Sequence, residues 1–429
     1  MSERRGAAAP GLSGSSEERE AGAREGAAYQ APRGEREALN QRPLRVLYWF
    51  PQPTPYVVAR FNAAAQRPEL DFQAVFSRVR EPDRSWDVDQ ATWKFPARYL
   101  GRFKVPILEL RRARPDVFIL EYDRWNLALG AMAGMALAQR VALRVLPNYD
   151  AWSRRTWWRE AGKRVLFKAV DGAKVPGPDG AALATRYGLP ADRTGVVTQS
   201  IDLAHYGRAR DQPVADRRRR RAALGLTGCA FLYVGRVWSG KGLDELFAAY
   251  RHVRATRADV SLLVVGDGVD YERYAAQERA TPGVTFAGFV QPADLPEWYA
   301  ACDVLVFPTH GDPNGLVVEE ALAAGLPVIV SDAAGDIAAR VPPTVGRIVP
   351  VGDPEALATA MAALAEPSVR IALAGQAPGW VAGKDDERYA EDLARFARDL
   401  MARPRRRTPA RLVCTAAGRL LSWTGRLAG

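Results

Sequence analysis

Between Cys229 and Ser331 the chain repeats one unit four times: a short run that is apolar at nearly every position, then an amphipathic stretch of helix length. The runs are "CAFLYVG", "SLLVVGDG", "VTFAGFV" and "VLVFPT", with "LPVIVSD" closing the series; the stretches are "GLDELFAAYRHVRAT", "YERYAAQERA", "LPEWYAACD" and "GLVVEEALAAG". A strand that is apolar on both faces cannot leave either face in water, so such strands form a parallel sheet covered by helices. The same alternation, with less regular spacing, runs from Leu44 to Ser200 in "LRVLYWF", "DFQAVF", "VPILEL", "DVFILEY", "VALRVLPN", "AKVPG" and "TGVVTQS". The fold class is therefore α/β, with two Rossmann-like, doubly wound domains whose ligands are expected beyond the carboxyl ends of the strands.

This pattern divides the chain into an N-terminal extension (residues 1–42), a first domain (43–205), an Arg-rich linker (206–228), a second domain (229–384), a helix (385–403) and a basic amphipathic tail (404–429). The extension has almost no large apolar side chain to offset its ordering entropy and reads as disordered. It also lacks the apolar core of a signal peptide, and the chain's three cysteines are widely spaced, which fits a reducing cytoplasm. The longest apolar run, "LALGAMAGMALA", is shorter than the roughly 18 residues of a membrane span and reads as a buried helix. In the tail, Leu412, Ala416, Leu420, Trp423 and Leu427 share a helical face beside Arg411, Arg419 and Arg426, a pattern suited to contact with the inner face of a membrane, although a packing helix would show it too. Lys and Arg exceed Asp and Glu by 60 to 49, so an anionic partner is expected. Without interleaved aromatics, the run Arg217 to Arg221 reads as a solvated linker and not as a nucleic-acid site.

Two loops carry the chemistry. "GRVWSGK", Gly235 to Lys241, spells the start of a phosphate-binding P-loop, but Gly242 stands where Ser or Thr would ligate magnesium. The loop instead suits a diphosphate held without an obligatory metal, by Arg236, Lys241 and the N-terminus of the helix that follows. In "DPNGLVVEEALAAG" a second helix opens near Gly315, presenting the amides of Gly315, Leu316 and Val317, with Asp312 before it and Glu320 on its second turn. Carboxylates accept two hydrogen bonds from vicinal diols, so a diphosphate flanked by such groups describes a nucleotide sugar. Asp312 as a helix cap with Glu320 solvated is the plain structural alternative.

In order, "GRVWSGKG", "VVGDG", "VTFAGFV", "CDVLVFPT", "DPNGLVVEEALAAGLPVIVSD" and "VGDPEAL" resemble the second domain of retaining glycosyltransferases of family 4, whose GT-B fold is two facing Rossmann domains. The resemblance is specific from about Phe231 to Leu364 and diffuse before Tyr206. It implies that Arg236 and Lys241 bind the donor diphosphate, Asp312 touches the donor sugar, Glu320 bonds the ribose and the loop around Phe289 lies against the base. It further implies catalytic roles for Arg236, Lys241 and Asp312, donor-binding roles for Gly235, Gly315, Leu316, Val317, Glu320 and Phe289, no metal ligand and no cofactor beyond the nucleotide-sugar co-substrate. The expected partners are that donor and a saccharide or lipid-linked acceptor. The chain departs from the family at Asp312, where Glu is usual, at "PQPTPY" after the first strand, and at "LPNYDAW", where Asn148 and Asp150 replace an acceptor-cleft histidine; His310 reads as a satisfied loop residue. Two other readings are a non-catalytic nucleotide or polysaccharide binder that keeps the fold, and a metal-dependent transferase using "DVD", Asp87 to Asp89, which sits in a polar stretch.

Overall fold

The computed structural model of the chain describes residues 42–79, 88–101, 104–121, 126–147 and 156–424. The N-terminal extension before Arg42, Asp87, Asn148, Asp150, Arg426 and Leu427 lie outside these residues. In the first domain, strands β1 (Leu44–Phe50), β2 (Leu70–Phe76), β3 (Ala97–Tyr99), β4 (Val117–Glu121), β5 (Arg140–Arg144), β6 (Gly172–Val175) and β7 (Thr194–Val196) form a seven-stranded sheet in the order β3-β2-β1-β4-β5-β6-β7. In the second, β8 (Cys229–Val234), β9 (Val260–Val265), β10 (Val284–Gly288), β11 (Val304–Phe307), β12 (Val328–Ser331) and β13 (Gly346–Val349) form a six-stranded sheet in the order β10-β9-β8-β11-β12-β13. Every strand pairing in both sheets is parallel. β8 and β9 are buried along their whole lengths, as runs without polar alternation require.

One strand expectation fails. "VPILEL" is not a strand: Ile107–Ala113 is a helix, and the edge strand is the short "ARY" of β3. The apolar content of "VPILEL" serves one helical face, with Leu110 fully buried, Glu109 half-buried and Leu108 exposed. A short helix, Leu203–Gly207, runs from the first domain into the segment read as a linker, which carries a second helix, Val214–Ala223. The second sits on the second domain through Arg217, which donates to the Ala300 carbonyl at 2.8 Å, and Arg221, which pairs with Asp303 at 2.9 Å.

The chain crosses between the domains near Ser200 and returns near Lys384, the two passages joined by a bond of 3.1 Å from Ile201 N to Lys384 O. The returning helix Asp386–Ala402 then packs on the first domain, placing Tyr389, Leu393, Phe396 and Leu400 in one core with Tyr48, Phe61 and Phe72. The last helix, Pro409–Thr424, does the same on another face. Buried Arg411 pairs with buried Asp171 at 2.8 Å, and a Cβ at Gly418 would fall 1.9 Å from the Met132 carbonyl oxygen, so this helix lies tight against Asn126–Leu137. Its other side leaves Leu412, Val413, Leu420 and Trp423 exposed. Among the described residues no single helix is long and apolar enough to cross a membrane.

The domains also meet in a reciprocal pair. Asp179 N, in the first turn of the helix Pro178–Arg186, donates to Asp336 Oδ1 at 2.7 Å; Asp336 N, which caps Ile337–Arg340, donates to Asp179 Oδ2 at 2.9 Å.

Candidate functional site

In the second sheet the strand order reverses between β8 and β11, so the loops that follow these strands must diverge and leave a crevice. Those loops are the two motifs singled out above. After β8 the chain makes a short 3-10 turn, Ser239–Lys241, and enters the helix Leu243–Thr256; after β11 it runs from Pro308 to the helix Val317–Ala323. Lys241 Nζ reaches Asp312 Oδ2 at 2.6 Å across the crevice, and His310 N donates to the Gly240 carbonyl at 3.1 Å. Gly242 explains why the loop is not a P-loop. Its φ is +71° and a Cβ there would stand 1.9 Å from the Pro308 carbonyl oxygen, so neither Ser nor Thr fits. Behind the loop, a Cβ at Gly266, at the end of β9, would stand 1.8 Å from the Gly235 carbonyl oxygen, which fixes how closely the β8 and β9 loops approach.

Asp312 has two tasks. Oδ1 accepts from the amides of Asn314 at 2.9 Å and Gly315 at 2.6 Å, while Oδ2 holds Lys241. Burial works to raise this carboxyl, but the Lys241 ammonium and the two amides outweigh it and hold Asp312 below the ordinary carboxylate range. The cap and the contact to Lys241 thus fall on one side chain, and the Gly315 amide is already engaged by it. Leu316 and Val317 are the next amides of the same turn. Arg236 is exposed and makes no ion pair among the described residues, and Phe289 is 40% exposed just beyond β10. His310 bonds Glu245 at 2.8 Å, a satisfied loop histidine. Asp89 of the "DVD" stretch caps the 3-10 turn Gln90–Thr92 by accepting from Ala91 N at 2.8 Å.

Glu320 is fully buried, and its surroundings were not legible in the motif. Tyr56 of the first domain donates to Oε1 at 2.9 Å, Tyr299 donates to Oε2 at 2.8 Å, and Tyr206 lies 3.4 Å from the Tyr56 hydroxyl. Burial pushes the Glu320 carboxyl up to about 7, against the pull of the hydroxyls. Tyr56 belongs to "PQPTPY", the stretch that departs from the family pattern; Thr54 caps its helix, Pro55–Ala65, and aims Tyr56 across the cleft. Arg340 was also missed. It grips buried Glu319 with two bonds, 2.8 and 2.6 Å, and donates to the Gly315 and Gly335 carbonyls at 2.9 Å, which fixes the loop carrying Asp312. The doubled "EE" was its only trace in the sequence.

Residues 228–367 match the family model described as Glycosyl transferases group 1. The D-inositol 3-phosphate glycosyltransferase of Acidothermus cellulolyticus is 32% identical over 204 residues, 44% of each chain. The GDP-mannose-dependent alpha-mannosyltransferase of Mycobacterium tuberculosis is 37% identical over 145 residues, 34% of this chain and 36% of its own. The matched stretch is thus under half the length of these relatives. Among solved structures, Anabaena HepE in complex with UDP superposes with a TM-score of 0.66 at 17% identity, covering 82% of this chain and 98% of HepE. The two facing domains are the GT-B fold.

Two outcomes follow from this geometry. Gly242→Ser puts a β-carbon into the Pro308 carbonyl and forces a left-handed backbone, strain of order 1–3 kcal/mol before any clash, so the urea midpoint falls; an unchanged midpoint would mean the two loops do not touch. For Glu320, a folded pKa raised from 4.5 to about 7 means that its contribution is complete below 4.5 and is lost as pH rises through 7. Tyr56→Phe removes a bond that favours the carboxylate, so the loss of thermal stability on raising pH extends above 7, read as melting temperature against pH; an identical profile in parent and variant would place Tyr56 away from Glu320.

Proposed function

We infer that a chain with the GT-B fold, and with the group 1 glycosyl transferase sequence across its second domain, moves a sugar from a nucleoside-diphosphate sugar to an acceptor hydroxyl with retention of configuration. The observation that carries this reading is the Lys241–Asp312 bridge across the β8/β11 crevice, which sets a cation and a carboxylate side by side where the strand order reverses. As the glycosidic bond breaks, negative charge collects on the departing diphosphate and positive charge on the sugar. Lys241 and Arg236 stabilise the first, and the preorganised amides of the Leu316 and Val317 turn assist. Asp312, held ionised beside Lys241, faces the sugar. Glu320 takes the ribose hydroxyls in exchange for the Tyr56 hydroxyl, so donor entry loosens a contact between the domains. Transfer is front-face, with hinge closure excluding water and no obligatory metal. HepE was captured with UDP and the mycobacterial relative is named for GDP-mannose, so UDP- and GDP-sugars are the donors to test first.

The acceptor is a saccharide or glycolipid of surface polysaccharide assembly, reached from the inner face of an anionic membrane. Two neighbouring helices of the first domain favour this. Trp157–Ala169 exposes Trp157, Trp158 and Val165 beside Arg159, Arg164 and Lys168, and Pro409–Thr424 exposes Leu412, Val413, Leu420 and Trp423 beside Arg419. Aromatic and aliphatic side chains flanked by cations suit the headgroup boundary of an anionic bilayer. The second reading, a binder without turnover, is favoured by Glu320, whose oxygens are both taken by tyrosines.

Removing a cation from the place where leaving-group charge develops typically costs about 2.7–4 kcal/mol, so Lys241→Ala and Arg236→Ala each lower kcat roughly 10²- to 10³-fold, and parental turnover persists in excess chelator. Steady-state kinetics with UDP- and GDP-sugars checks this; variants within about twofold of the parent favour the binder. Trp157→Ala with Trp423→Ala weakens sedimentation with phosphatidylglycerol vesicles, and equal sedimentation of variant and parent would end the membrane assignment.

A further inference from the structure

Asp312 is held from two sides by glycine backbone. Gly315 donates its amide to Oδ1 at 2.6 Å, and Gly335, brought alongside by the parallel bridge between Asp312 and Ala334, donates its amide to the Asp312 carbonyl at 2.9 Å. The carbonyls of the same two glycines accept from one side chain. Arg340 Nη2 reaches Gly315 O at 2.9 Å and Nη1 reaches Gly335 O at 2.9 Å, while Nε and Nη2 grip the two oxygens of Glu319 at 2.8 and 2.6 Å. Arg340 and Asp312 thus share no direct bond among the described residues, but they share two glycines.

A guanidinium is planar and presents its N–H groups in a fixed fork, so four bonds to three groups set both glycine carbonyls relative to the Glu319 carboxylate. A cation that only neutralised Glu319 would need neither carbonyl. Gly335 also faces the first domain: a Cβ there would fall 2.6 Å from Pro147 Cγ, in the loop after β5, and the next residue, Asp336, donates its amide to Asp179 Oδ2 at 2.9 Å. A displacement of the first domain is therefore felt at Gly335. From Gly335 one bond leads to Asp312 and another to Arg340.

We propose that Arg340 is a positioning residue for Asp312, acting through Gly315 and Gly335, and that through Gly335 it sets Asp312 in register with the first domain. The assignment rests on the transferase reading above, in which Asp312 faces the donor sugar, and adds the residue that holds it there. Arg340 touches no reacting atom in this scheme and moves no proton. Its effect is on where the carboxylate stands beside Lys241.

The test uses the full chain, first without ligand and then with UDP- and GDP-sugars. Hydrogen exchange at the Asn314 and Gly315 amides, both bonded to Asp312 Oδ1, reads whether that carboxylate is in place. Glu319→Leu with Arg340→Met removes the buried pair as a unit and leaves neither charge alone, a replacement that folds often tolerate. Should that variant fail to fold, Arg340→Lys decides, since it keeps a cation on Glu319 but not the fork. The expected result is that both amides exchange about tenfold faster while those of β8 and β11 keep their protection. With donor, kcat falls roughly 10- to 100-fold, the effect of a misplacement of about 1 Å, and the donor KM stays within about threefold of the parent. Asp179→Ala speeds the same two amides about threefold, the effect of losing one such bond, and adds nothing in the Arg340→Lys background. Parental exchange and turnover in a folded Arg340 variant overturn the positioning role, and so does a loss confined to KM. Additive effects of Asp179→Ala and Arg340→Lys overturn the link to the first domain. A parent that turns over neither donor overturns the transferase reading, while the exchange rates still decide what holds Asp312.

Discussion

A buried guanidinium at the double crossing sets the relation between the two domains. Arg60, 4% exposed, donates through Nε to Ser200 Oγ at 3.0 Å, and Ser200 in turn donates to Asp386 Oδ1 at 2.6 Å. One side chain of the first domain therefore ties the outgoing passage to the returning one. Burial lowers the Arg60 pKa and raises that of Asp386, so neither charge is comfortable without the other, and losing one partner of such a buried set costs about 3–5 kcal/mol.

From it follows a division of labour between the two sheets. Each is parallel, each reverses its strand order once beside its first strand, and each opens a crevice at the carboxyl ends. The second crevice is charged and closed by a bridge, Lys241 to Asp312, suited to a ligand that brings its own negative charge. The first is a small recess walled by Trp49 and Phe50 that carries one ion pair, Glu121 to Arg144.

The second domain was legible in the sequence because its strands are uniformly apolar and its loops carry glycines whose backbones touch. The approach of Gly242 to Pro308 is the exception: "SGKG" shows that Ser or Thr is missing there but not which backbone excludes it. The first domain was harder. β3 is three residues long and buries little, whereas "VPILEL" is apolar enough for a strand and folds as a helix, since periodicity over six residues does not separate the two. The site split the same way. Lys241, Asp312 and Glu320 stood out by spacing, but Tyr56 and Arg340 owe their place to contacts with Glu320 and Glu319, 264 and 21 residues away in sequence, and single residues of these types leave no local signal. Asp312 shows a further limit: a helix cap is offered by sequence as an alternative to any other role, while its two oxygens cap the turn and hold Lys241 at once.

The reciprocal bonds between Asp179 and Asp336 give the closed arrangement a particular mechanical character. Each carboxylate caps the other domain's helix, yet the two are like charges; Asp336 sits in a left-handed conformation at φ +53°, and its Oδ2 is buried without a partner. On separation, water would take over each amide and carboxylate, so each bond contributes only about 0.5–1.5 kcal/mol net, while repulsion and backbone strain subtract from it. The contact therefore behaves as a detent: directional bonds define one angle between the domains sharply, while the strain and repulsion set against them leave little net energy to hold it.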